Sequence, residues 1–128
     1  MTDGLDVFEY ATLRVVPRVE RGELINAGVV VYCRARGVVA ARTHLDEARL
    51  AALDPAADTT GVRAALAAVE RVCAGGDAAG QAAGDDAGRR FRWLIAPRST
   101  VVQPGPVHTG FTDDPEAEAD RLLHQLVL

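Results

Sequence analysis

Lysine is absent from this 128-residue chain, and all 14 basic side chains are arginine. An all-arginine basic set first indicates a GC-rich bacterial coding sequence. It also leaves every cation as a planar fork suited to carboxylate or phosphate. Cysteine is nearly absent too, with Cys33 in a strand-like run and Cys73 in a helix-like run. Two distant thiols without a CxxC pair exclude a disulfide framework or a zinc knuckle, and both read as small buried residues. No apolar run approaches the roughly 18 residues of a membrane-spanning helix, and MTDGLDVFEY carries no basic or apolar leader. A cytoplasmic protein away from membranes is expected. Aromatics make up only 5% of the chain, and the formal net charge is -4. That balance offers no global attraction to nucleic acid, which makes it an unlikely partner.

The 48% hydrophobic content is less than it looks, because 23 of those residues are alanine. The core must therefore come from a modest set of Val, Leu and Ile. One domain of this length should still bury roughly two thirds of its unfolded surface. Period-2 alternation in Val7, Ala11, Leu13 and Val15 predicts a half-buried strand that Pro17 ends. Ile25 to Cys33, the turn Arg34-Ala35-Arg36-Gly37 and Val38 to Leu45 predict a β-hairpin, completing a three-stranded meander. Asp46 caps a short helical segment closed by Pro55. Asp58 caps a longer one whose stripe is Val62, Leu66, Val69 and Cys73, ending at Gly75-Gly76. Ala74 to Gly88 is nearly all Ala, Gly and Asp, too poor in bulk to order, and predicts a flexible loop near 75–88. Arg89 to Ile95 fits either a strand or a short helix, with helix preferred. Pro97 to Gly110 suggests extended pieces, one of them an edge strand. The last element is a helix with Asp114 as cap, Pro115 at its first position, and Ala119, Leu122, Leu123 and Leu126 as its stripe. The class is α+β: an antiparallel sheet of three to five strands with two main helices packed on it, in a single domain.

Two polar segments are the candidate site. In Pro17 to Gly28 four charges of both signs lie between apolar strands. Arg18 and Arg21 could fork onto a carboxylate or phosphate, Glu20 or Glu23 could take a proton, and Asn26 could donate from its amide. The same charges also read as a solvated turn of exposed ion pairs. Asn26 and Gly28 fit that alternative poorly. Inside a valine-rich strand, such residues mark a satisfied polar group, a bulge or a close backbone approach. The second segment carries Arg98, Ser99, Thr100, Gln103, His108 and Thr109, a set of donors able to embrace an anion. Ser99 lacks a nucleophile-elbow setting, and His108 reads more simply as a structural hydrogen-bonding residue. Phosphate-loop, dinucleotide, HExxH and EF-hand motifs are all missing, and His44, His108 and His124 lack ligand spacing. No cofactor, metal or catalytic residue is assigned. Arg89, Arg90 and Arg92, interleaved with Phe91 and Trp93, resemble a single-strand-binding patch. A helix with a basic outer face explains them more simply.

The order Tyr10-x-x-Leu13-Arg14-x-Val16-Pro17-Arg18-x-Glu20-Arg21-Gly22-Glu23-x-x-Asn26-x-Gly28-Val29-Val30 resembles the signature of the DUF3037 family, a domain of unknown function in small bacterial proteins. Ala96 to Gln103, His108-Thr109-Gly110 and Asp113-Asp114-Pro115 resemble it too, so the similarity runs from about Tyr10 to Val127. The resemblance implies a genomic neighbour similar to the HipA toxin kinases, and hence an accessory or interaction role. A kinase-like or other protein partner is therefore the leading expectation. The rival is a small enzyme or binding protein for an anionic ligand, clamped by Arg18, Arg21 and Arg98. Either requires the two polar segments to meet in space.

Overall fold

A computed structural model describes residues 4–75, 86–98 and 100–128. The expected loop near 75–88 therefore lies mostly outside the described residues, as does Ser99. The first strand, β1 (Asp6–Val15), pairs antiparallel with β2 (Ile25–Cys33), which pairs antiparallel with β3 (Val38–Thr43). Gly37, at φ +63, closes the turn between β2 and β3 in the left-handed conformation that glycine tolerates. Strands β4 (Val102–Pro104) and β5 (His108–Thr112) both pair with the far side of β1, end to end, with β4 beside Leu13 to Val15 and β5 beside Asp6 to Tyr10. The proline-rich segment thus supplies two strands where one was expected, each too short to be distinct from loop by periodicity. β1 becomes the central strand of a five-stranded sheet.

Four helices accompany it: α1 (Glu47–Leu53), α2 (Thr59–Ala74), α3 (Ala87–Leu94) and α4 (Pro115–Leu126). Each begins where an aspartate side chain accepts a backbone N–H of the first turn: Asp46 from Arg49, Asp58 from Gly61, Asp86 from Arg89 and Asp114 from Ala117. Asp86, Ala87 and Gly88, expected in the loop, instead form the cap and first turn of α3. A Cβ on Gly88 would sit 2.8 Å from the Tyr32 hydroxyl, so glycine lets this helix lie close on the sheet.

The sheet is covered on both faces. Leu13, Val30, Val39 and Ala41 pack with Val72 of α2 and with Phe91 and Leu94 of α3. On the other face Phe8, Val29, Val31, Cys33 and Ala40 pack with Ala119 and Leu122 of α4. A third cluster joins Val15 and Ala27 to Leu50 of α1 and to Val62 and Leu66 of α2. Because β2 touches helices on both sides, it reads as an unbroken apolar run rather than an alternating one. No described helix is long and apolar enough to cross a membrane.

Candidate functional site

In the first polar segment the charges neutralise one another locally. Arg18 bonds Glu20 at 2.9 Å and Arg21 bonds Glu23 at 2.6 Å, on an exposed turn closed by Gly22 at φ +69. Glu20 is held below the ordinary carboxyl range first by its own backbone N–H and then by Arg18, and Glu23 by the hydrogen bond from Arg21. Both are therefore weaker proton acceptors than an ordinary carboxylate and already accept from an arginine, which suits neither to general-base work. Asn26 does something different: its Nδ2 donates to the Leu126 carbonyl at 3.2 Å, tying β2 to the end of α4.

In the second segment Arg98 lies with its Cζ 4.5 Å above the Trp93 ring and donates to the Trp93 carbonyl. Thr100 Oγ1 donates to Val102 O and Gln103 Nε2 to Thr100 O, each at 2.8 Å, folding the approach to β4 onto itself. His108 rests against the Tyr10 ring, with centroids 5.3 Å apart. None of the three histidines hydrogen-bonds a side chain among the described residues, so no His-activated nucleophile is assembled there.

The two segments converge through their backbones. Val16 N–H donates to Val101 O at 2.7 Å, which sets Pro17 beside the strand leading into β4. The Arg18–Glu23 turn stays self-paired, and its side chains do not join those of Arg98 to His108. The residue on which the segments do converge is Arg14, which the composition of the two segments did not single out. Its cross-strand partners are Asn26 on β2 and Gln103 on β4. This alignment depends on a bulge: Leu13 faces Gly28 but Arg14 faces Asn26, leaving Ala27 as the extra residue. A Cβ on Gly28 would lie 2.8 Å from the Arg42 carbonyl oxygen, so the β3 backbone demands glycine there. The bulge, the close approach and the satisfied amide that Asn26 and Gly28 could signal are all present together.

Arg14 is half buried. Its Nε is shielded from solvent and has no hydrogen-bond partner, and the guanidinium makes no bond or ion pair with any described residue. Gly105 causes the shielding: its N–H donates to Thr12 O at 2.8 Å, and a Cβ there would stand 2.6 Å from Thr12 Oγ1 and 3.0 Å from Arg14 Nε. Tyr10, Thr12 and Arg14 alternate along β1 on the α4 side of the sheet. α4 packs mainly over β2 and β3 and also reaches Phe8 and Tyr10 on β1. Arg14, Thr12, Tyr10, Gln103 and His108 share that face, with Tyr10 against the α4 cluster and Arg14 toward β4. The one signal in the sequence was a lone arginine at an interior strand position, between Leu13 and Val15.

The opposite face holds a groove of about 640 Å3 between α2 and the strand leading into β4, reached by Pro17, Trp93, Arg98 and Thr100. The arginines of α3 are occupied elsewhere. Arg92 makes a two-pronged pair with Glu9, at 2.9 and 3.0 Å, and Arg90 donates to the last carbonyls of α2, Val72 and Cys73. Burial pushes the Cys73 thiol up to about 12, and Cys33 is wholly buried with Sγ 3.6 Å from Val7 O. Neither is a nucleophile. No group of three His, Cys, Asp or Glu side chains able to hold a metal occurs among the described residues.

No curated protein and no solved structure matches this chain. The family described as "Protein of unknown function (DUF3037)" matches residues 10–127, and its match takes in Arg14, both polar segments and α4. The chain belongs to the DUF3037 family.

Proposed function

We propose that the protein is a non-catalytic binding module that receives an anionic group, a carboxylate or phosphate, on Arg14 beside β4. The observation that carries this reading is the half-buried guanidinium with no partner among the described residues. A buried polar group left unsatisfied costs about 1–3 kcal/mol, and more when charged, so a fold that retains one has a reason outside its own stability. A ligand anion supplies the missing acceptor. Arginine suits both geometries, since its fork meets carboxylate and phosphate oxygens in pairs. Asn26 and Gln103 flank the arginine at fixed register, and the hydroxyls of Thr12 and Tyr10 extend the polar strip along β1.

The test is a titration followed through side-chain and backbone NMR signals, using inorganic phosphate and citrate as probes. Saturable shifts centred on the Arg14 Nε–H and the Gln103 amide, lost in Arg14→Met, are expected. Shifts that are absent, or unchanged in Arg14→Met, overturn the reading.

The anion can be carried by a protein, which gives the accessory role. A kinase similar to the HipA toxin kinases is the candidate partner that the family resemblance implies. Affinity capture from the native host with wild type and with Arg14→Met distinguishes the sources. A stoichiometric partner lost in the variant supports the protein-borne anion. Its absence, with phosphate binding intact, leaves a free metabolite as the ligand class.

A further inference from the structure

The groove on the other face of the sheet is unfilled for a reason visible in α2. The side of that helix facing the groove presents Gly61, Ala65 and Ala68, where larger side chains would close the space against Val101 and Val102. A groove open at the surface keeps its apolar lining against water, an area that an apolar ligand would remove from solvent. At about 640 Å3 the space falls within the range of sites for small organic ligands, roughly 300–1,000 Å3. At its rim stands Trp93, 52% exposed, with Arg98 stacked on its ring. Of the Arg98 donors, one is used on the Trp93 carbonyl; Nε and Nη1 have no partner among the described residues. Two acids also line the groove, each with one oxygen on a backbone N–H: Asp58 accepts from Gly61 N and Asp54 from Ala56 N. Beside Trp93 the charged group with open donors is Arg98.

We infer that this groove binds a small amphipathic carboxylate, its aliphatic body lying along the alanine side of α2 and its carboxylate meeting Arg98 beside Trp93. The charge at the rim decides between this and a neutral apolar ligand, since a carboxylate gains a charge-assisted hydrogen bond that an alcohol cannot match. The site is separate from Arg14, on the opposite face of the sheet, and stands or falls independently of it.

Trp93 is the only tryptophan in the chain, so its emission reports occupancy directly. Dodecanoate, kept below its micellar concentration, is titrated against the full chain and followed by Trp93 fluorescence and by calorimetry, with dodecanol as the uncharged comparison. Saturable binding of dodecanoate with a blue shift is expected, at least about tenfold tighter than dodecanol. Arg98→Gln should weaken dodecanoate by about tenfold and leave dodecanol unchanged. Ala68→Leu, which fills the groove, should abolish both; where that variant fails to unfold cooperatively, Ala65→Val serves in its place. Arg14→Met should have no effect on either ligand. Absence of saturable binding overturns the inference, as does equal affinity for acid and alcohol, or unaltered binding in Arg98→Gln or in the folded filled-groove variant.

Discussion

Arg14 shows how one side chain can be read through two measurements of opposite sign. A structural arginine, bonded on all sides, destabilises when removed. One that is half buried and has no partner among the described residues does not contribute in that way, and its replacement by an apolar side chain of similar length removes a desolvated charge. Arg14→Met should therefore raise the melting temperature, by roughly the 1 kcal/mol scale of an unsatisfied buried donor, while abolishing the response to phosphate. A lower melting temperature would mean that the guanidinium is structural. Cys73 gives a second test. Its thiol is held up to about 12 mainly by burial, so the folded protein keeps the proton that an unfolded chain releases near pH 8.5. The sign follows: this contribution is present below that pH and is lost as pH rises through it. The urea midpoint should fall between pH 8 and 11, and fall less in Cys73→Ala. At pH 8 neither thiol should react with Ellman's reagent until urea unfolds the chain.

At the level of elements, the aspartate caps are the most explicit link between sequence and structure. Asp58 and Asp114 each accept a first-turn N–H, at 2.9 and 3.2 Å, and Asp58→Ala or Asp114→Ala should each cost about 1 kcal/mol in urea unfolding. The caps were readable because a capping residue acts on its own helix within three residues. Strands β4 and β5 were not, because three-residue and five-residue pieces interrupted by proline become strands only when a long partner supplies their hydrogen bonds. β1 is that partner, and its ten residues are long enough to serve both in succession. Gly28 lies between these extremes. Its smallness within β2 was plain, but the cause is the Arg42 carbonyl on another strand. Gly28→Ala should cost about 1–3 kcal/mol, as overpacking against backbone does, whereas removing Arg18 or Arg21 from the exposed turn should leave the urea midpoint unchanged.

For the molecule as a whole, the consequence of alanine richness is a core held by few large side chains. Phe91 is completely buried among Leu13, Val30, Val39 and Val72, joining α3 to both the sheet and α2. Phe91→Ala should cost about 3–5 kcal/mol, with the tryptophan and backbone signals still melting together, since all three clusters draw on β1 and β2. Separate transitions would show that the α4 layer is an independent unit.

By itself the sequence determined the α+β class, the three-stranded meander, the helices capped by Asp46, Asp58 and Asp114, and the family, because those follow from periodicity, local hydrogen bonds and residue order. It marked the Pro17 to Gly28 and Arg98 to Thr109 segments as polar, and was right that Asn26 and Gly28 were more than a solvated turn. Only the tertiary structure decided what those residues do. Ion pairing between residues two apart turned Arg18, Glu20, Arg21 and Glu23 upon themselves, while strand pairing across more than eighty residues brought Gln103 beside Arg14. The partner a charge finds depends on register and on where the helices cover the sheet, and both are set by packing between elements far apart in the chain.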